Sequence, residues 1–348
     1  MRRLSSGIAA ALGAALLFGI GTPLAKLLIV RIDPWLLAGL LYLGSGIGLT
    51  LVRIFRPRIK RAPLCASEWP WLIGAVISGG VIAPVLLMAG LVNMPASTAA
   101  LLLNAESVFT AAIAWLIFRE NVDRRLVFGM AVIVAGTAIL TWPSGAFLAS
   151  DIFPALAVVG ACLCWGIDNN LTRKVSLADA GWLASIKGFA AGSTNLLLAL
   201  FFGATWPSGI AVGGALALGF LAYGVSLVLF VIGLRHLGTA RTGAYFSVAP
   251  FLGALVAVLV LDEPITMQLV LAGVLMATGV WLHMTERHIH EHTHLPLEHE
   301  HTHTHDEHHR HDHGELVDAG VEHTHRHRHL PMTHTHDHYP DAHHQHAH

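Results

Sequence analysis

Residues 90–120 read GLVNMPASTAALLLNAESVFTAAIAWLIFRE, and residues 233–263 read GLRHLGTARTGAYFSVAPFLGALVAVLVLDE. Laid over one another at a spacing of 143 residues, they place Gly90 on Gly233, Ala111 on Ala254, Ala114 on Ala257 and Glu120 on Glu263. The register runs on into Gly136 and Gly279. Each stretch contains an apolar run long enough to cross a bilayer core, which takes about 20 residues. A chain that writes such a run twice in register is built from a repeated membrane unit, and the rest of the sequence extends that reading in both directions.

Composition agrees: 54% of residues are hydrophobic and only 12% charged. A soluble domain of this length needs far more surface charge. Breaks in the hydrophobic pattern predict ten spans, at about 5–29, 34–54, 70–92, 95–118, 124–142, 152–172, 180–203, 209–234, 239–261 and 265–285. Two breaks carry no charge and rest on turn chemistry, VNMPAS before the fourth span and ATWPSG before the eighth. The basic start followed by an apolar run has the outline of a secretory leader. The run is longer than a leader core, however, and the loop charges need it as a span.

Those charges alternate. Arg2 and Arg3, then Arg53, Arg56, Arg58, Lys60 and Arg61, then Arg119, Arg124 and Arg125 lie at one end of the spans. Arg173 and Lys174, Arg235 and Arg241, and finally Arg287 continue the series at that same end. The other end offers Arg31, with Lys26 just inside the membrane edge. Basic loops are poorly translocated. Both termini are therefore expected in the cytoplasm, in a multi-pass protein of the plasma (inner) membrane. Of the three cysteines, Cys65 falls in a basic loop and Cys162 and Cys164 in an apolar run, which gives no disulfide framework.

The first span repeats as well. ALGAALLFGIGTPLAK at 11–26 matches VVGACLCWGIDNNLTR at 158–173, with Gly13, Ala14, Leu16, Gly19, Ile20 and Leu24 on Gly160, Ala161, Leu163, Gly166, Ile167 and Leu171. Five spans per repeat is an odd number, so the second half enters the membrane from the opposite side. Two inverted halves supply a route to alternating access, because exchanging their roles turns an inward opening into an outward one. The domain reading is a first repeat over 1–143, a second over 144–285 and a tail over 286–348.

These features carry a family resemblance over residues 5–285. LFGIGTPLAK and LCWGIDNNLTRK open the halves, AIAWLIFREN and LVAVLVLDEP end spans four and nine, and VFGMAVIVAGTAIL and VLAGVLMATGVWL follow. In these the chain resembles the EamA-type branch of the drug/metabolite transporter superfamily. The resemblance implies an all-α membrane fold of ten helices in two inverted five-helix repeats. It also implies secondary transport, often export, of small organic solutes, with no enzymatic activity. The histidine-rich tail departs from the family pattern.

Within the spans, Glu106 stands near the middle of the fourth, with Asn104 close by. An ionised carboxylate at that depth costs about 2.5 kcal/mol or more to insert, so such a group faces a cavity, pairs with a cation or carries a proton. The alternative is a protonated glutamate bonded across a helix interface. Lys187 lies about seven residues inside span seven, facing a cavity or snorkelling to the surface. Lys26 serves as an anchor or lines the pathway; the family often has a basic residue there. Asp168, Asn169 and Asn170 read as a polar exit from span six beside Arg173 and Lys174, while Tyr245 and Ser247 offer hydrogen bonds to a solute. Pro23, Pro84 and Pro250 fall inside spans as hinges or packing features. Gly44 with Gly48, and Gly209 with Gly213, have the spacing of close helix contacts.

From His288 onward the chain changes character, and 23 of its 25 histidines lie there. His301, His303, His305, His308, His309, His311 and His313, and then His334, His336 and His338, form repeated pairs suited to zinc, nickel, cobalt or copper. With few apolar residues this segment has no core to bury and is expected to be disordered without ligand. Two functions remain open from sequence. One is a carrier of a small organic metabolite whose cytoplasmic tail senses or stores metal, or senses pH. The other is a divalent-metal efflux protein whose tail collects the cargo. The expected partners are the bilayer, a small-molecule substrate and divalent ions at the tail. No nucleic acid and no obligatory cofactor is expected, and a homodimer is an assembly the pattern allows.

Overall fold

A computed structural model describes residues 2–55, 64–119, 124–142, 149–176 and 178–284, together with the backbone of four short segments of the tail. Nine helices among the described residues are long and apolar enough to cross a membrane. They are α1 (Ser6–Ile29), α2 (Pro34–Ile54), α3 (Ala66–Val92), α4 (Ala96–Leu116), α5 (Arg124–Thr141), α6 (Ile152–Lys174), α7 (Ala180–Phe201), α8 (Gly209–Thr239) and α9 (Arg241–Val260). A tenth, shorter apolar helix, α10 (Met267–His283), completes the set. Helices are the expected solution for an open chain in hydrocarbon, because each satisfies its own backbone polar groups. Large apolar side chains such as Leu16, Phe128, Leu197, Leu259 and Trp281 face outward, where lipid covers them.

The repeat is visible in the irregularities as much as in the helices. Span α3 relaxes into a π-helical turn at Val76–Ile82, and α8 does so at Gly219–Val225. Span α4 breaks between Leu102 and Ala105, and α9 between Phe246 and Ala249. Arg119 and Asp262 both sit at positive φ, 55° and 56°, where each span ends. The π-turns and the positive-φ residues keep the 143-residue register of the sequence, and the breaks fall within one residue of it. Local backbone geometry therefore follows the duplicated pattern, not the detailed side chains, which differ at most of these positions.

Counterpart helices pack against each other, α2 on α7, α4 on α9 and α5 on α10. Glycines also bring α2 close to α8: a Cβ on Gly44 would lie 2.2 Å from the Leu216 carbonyl oxygen, and one on Gly48 would lie 2.2 Å from the Phe220 ring. Gly209 and Gly213 share that spacing, but an added Cβ would meet nothing within 4 Å at either. The expectation of a helix contact at this second pair is corrected: the motif describes a face, and only the first face is covered.

In the tail, Ile289–His294 pairs antiparallel with Met332–Asp337, and Glu298–His303 with His323–Arg328. The sequence led us to expect no regular structure there. Each ladder is two strands wide, a size that is marginal in water without a covering face. His301, His303, His334 and His336 lie on these strands; His305, His308, His309, His311, His313 and His338 lie outside the described residues.

Candidate functional site

A cavity opens between the repeats. Its polar lining includes Glu106 from α4, Asp168 and Asn169 from α6, Lys187 from α7 and Ser226 from α8. The aromatic walls are Phe18, Tyr42, Trp165, Tyr223, Phe230 and Phe246. A second, smaller space shares Phe18, Glu106 and Phe246, so Glu106 stands where the two meet.

The backbone explains how the walls are held. In the π-turn of α3 the usual helical bonds are displaced, and the Gly79 carbonyl accepts from Tyr42 Oη at 2.7 Å and from Trp165 Nε1 at 3.0 Å. The next carbonyl, Gly80, accepts from Asn195 Nδ2 at 3.0 Å. One irregular turn thus fixes side chains from α2, α6 and α7. Phe18 then meets Trp165 and Tyr223 edge-on, each at 5.7 Å between ring centres.

The charged groups are arranged unevenly. Lys187, only 2% exposed, donates to Asp168 Oδ1 at 2.5 Å and to Thr172 Oγ1 at 3.1 Å. Thr172 itself donates to Asp168 Oδ1 at 2.8 Å. Glu106 accepts from Asn169 Nδ2 at 2.8 Å, and Asn169 also reaches Thr110 Oγ1 at 3.1 Å. Among the described residues Glu106 has no cationic partner. The reading of Asp168–Asn170 as a polar exit from the bilayer is corrected. Asp168 and Asn169 are buried and face the cavity, and Asn170 donates to the Thr110 and Gly166 carbonyls. The position six residues before Lys174 suggested the membrane edge; rotation of α6 turns it inward instead.

The other expected site residues are dispersed. Asn104 occupies the break in α4, donating to the Leu101 carbonyl at 3.1 Å and packing on Met276 of α10, outside the cavity. Lys26 lies at the far end of α1, donating to the carbonyls of Leu91, Val92 and Met94. Tyr245 does not line the cavity, whereas its neighbour Phe246 does and Ser247 lines the second space. Pro23 is inside α1, while Pro84 and Pro250 occupy first-turn positions where helix restarts after the π-turn and after the break in α9. There the missing backbone donor is no loss. Sequence reading missed Tyr42, Trp165 and Tyr223 altogether; the one available signal was their aromatic character near the middle of spans. Among the described residues no three histidine, cysteine or acidic side chains converge as a metal site.

Comparison with known proteins matches this architecture. The chain is 28% identical over 301 residues to an uncharacterized transporter of Methanothermobacter thermautotrophicus, covering 81% of this chain and 87% of that one. It is 26% identical over 230 residues to a probable terminal-alkyne amino-acid exporter of Streptantibioticus cattleyicolor, covering 65% and 74%. A probable amino-acid metabolite efflux pump of Salmonella typhimurium is 28% identical over 167 residues, 47% of this chain and 52% of that one. A crystal structure at 20% identity superposes with a TM-score of 0.65 over 80% of this chain and 98% of its own, a likeness of fold. The EamA-like transporter family matches residues 5–142 and again 152–285. With its two five-span repeats accounted for in that double match, this multi-pass membrane protein belongs to the EamA-like transporter family.

Proposed function

We propose that the chain is a secondary carrier that exports a small amine-bearing organic metabolite, of amino-acid type, by alternating access at the cavity between its repeats. The observation that carries this reading is the uneven charge of that cavity, two carboxylates and one ammonium within aromatic walls. Among the described residues Glu106 has no cationic partner, and a substrate amine would supply one. Lys187 has three donors and spends two, on Asp168 and Thr172, which leaves one for a substrate carboxylate. The surrounding rings suit an apolar side chain and favour a cation over their faces. A divalent metal would meet the fixed charge of Lys187 at close range, which weighs against the metal-efflux reading. Export, as the direction, draws support from the names of the two amino-acid relatives.

The basic loops favour cytoplasmic termini, and the tail then binds zinc, nickel, cobalt or copper from the cytoplasm as a sensor or store. A flux screen in proteoliposomes tests the whole reading, with amino acids and divalent metals offered to the intact chain and to a chain ending at Glu286. Amino-acid flux in both forms is the expected result. Metal flux by the intact chain that vanishes on truncation would replace it with metal efflux.

A further inference from the structure

The cavity lies in the middle of the bundle, with Phe18, Glu106 and Tyr223 about midway along their helices and Lys187 nearer one end. Lys187 is about seven residues from the start of α7 at the arginine-rich end, roughly 10 Å of helix, and about 21 Å from Phe201 at the opposite end. At that opposite end a single turn, joining α3 to α4, is gripped from both sides. Lys26 of α1 donates to the Leu91, Val92 and Met94 carbonyls at the end of α3. Glu263, just past α9, accepts from the Ala96 and Ser97 backbone N–H groups at 2.7 and 2.8 Å, at the start of α4. Each charge therefore sits at the helix end whose dipole and unpaired groups favour it.

Glu263 belongs to the second repeat and the turn to the first, so the Glu263 contact crosses the repeat boundary at the end of the bundle opposite the basic loops. Both side chains are only half-buried. If α1 and the end of α9 both move away from the turn, water can replace both sets of bonds, which lets the contact break reversibly. In the repeat register Arg173 corresponds to Lys26 and Glu120 to Glu263, so the sequence carries the same two charge types for the arginine-rich end. Glu120 lies outside the described residues.

We propose that Lys26 and Glu263 form a latch on the α3–α4 turn that seals the end of the carrier opposite its basic loops. It opens when the cavity turns to that side. The inference rests on the alternating-access reading above. The latch sets which face reaches the cavity and leaves the substrate contacts unchanged.

The test labels the cavity and needs no substrate. Ser226, which lines it, is replaced by cysteine in a chain whose Cys65, Cys162 and Cys164 are serine. A membrane-impermeant maleimide is applied from either face, in vesicles of both orientations. With the latch intact, labelling is faster from the basic-loop face. Glu263→Ala and Lys26→Ala should raise labelling from the opposite face by about tenfold or more, the factor for losing a charge-assisted hydrogen bond from one of two states. They should also lower labelling from the basic-loop face. Glu263→Gln and Lys26→Gln, measured in parallel, should move both rates the same way by smaller factors, and they decide the matter if an alanine variant does not reach the membrane. Rates rising together from both faces would mean a loosened fold, and unchanged rates an inert contact; either overturns the latch. Equal labelling from both faces of the latched chain would instead contradict the alternating-access reading beneath it.

Discussion

Replacing Lys187 by methionine removes the cation paired with Asp168 among the described residues while keeping most of the volume. Lys187 and Asp168 side chains are 2% and 8% exposed, so neither has bulk water to fall back on. Breaking one half of such a buried pair costs about 3–5 kcal/mol, because the other charge is stranded. The remaining bond from Thr172 to Asp168 Oδ1, 2.8 Å long, softens the loss without replacing the ammonium. Asp168→Asn strands the lysine in the same way. The double replacement, Asp168→Asn with Lys187→Met, removes both charges, and such exchanges are often neutral. It should therefore be more stable than either single variant. Thermal unfolding in detergent, followed by tryptophan fluorescence, reads this directly. At roughly 2 °C per kcal/mol for a chain of this size, each single variant should lose about 6–10 °C and the double variant less. Additive losses, or single variants within about 0.5 kcal/mol of wild type, would refute the reasoning that the two charges hold one another in the cavity.

Glu106→Gln keeps an oxygen for Asn169 but cannot take up or release a proton. It should insert and fold normally yet lose substrate-driven proton movement in vesicles, and retained coupling would make Glu106 structural. Gly44→Ala places a Cβ against the Leu216 carbonyl and should cost about 1–3 kcal/mol, while Gly209→Ala, with nothing nearby, should stay within about 0.5 kcal/mol of wild type. A chain ending at Glu286 should lose zinc binding in calorimetric titration while keeping its transport rate; transport lost along with zinc would tie the tail to the cargo.

The spans and the repeat were legible because hydrocarbon imposes the same demand on every crossing segment, and that demand is written in runs of apolar residues. Glu106 was legible for the converse reason, since an acid inside such a run is costly wherever it points. Asp168 was not, because its proximity to Arg173 and Lys174 suggested an exit from the bilayer, and only the rotation of α6 against α7 decides otherwise. The same ambiguity hides the pairing of Lys187 with Asp168. Gly44 and Gly209 begin identical spacings, yet tertiary packing covers only one. Nothing in VISGGVI announces a π-turn, and the side chains bonded to its Gly79 and Gly80 carbonyls come from three other helices.

Counterflow in proteoliposomes tests the central claim most directly, because exchange needs neither a known coupling ion nor a known direction. Vesicles loaded with a mixture of amino acids should draw in a labelled trace of the transported one through the wild-type chain. Exchange should fall sharply with Glu106→Ala or Lys187→Ala in protein that remains folded. Absence of exchange for every amine-bearing solute, or exchange undiminished in both variants, would contradict the assignment of this cavity as the transport site.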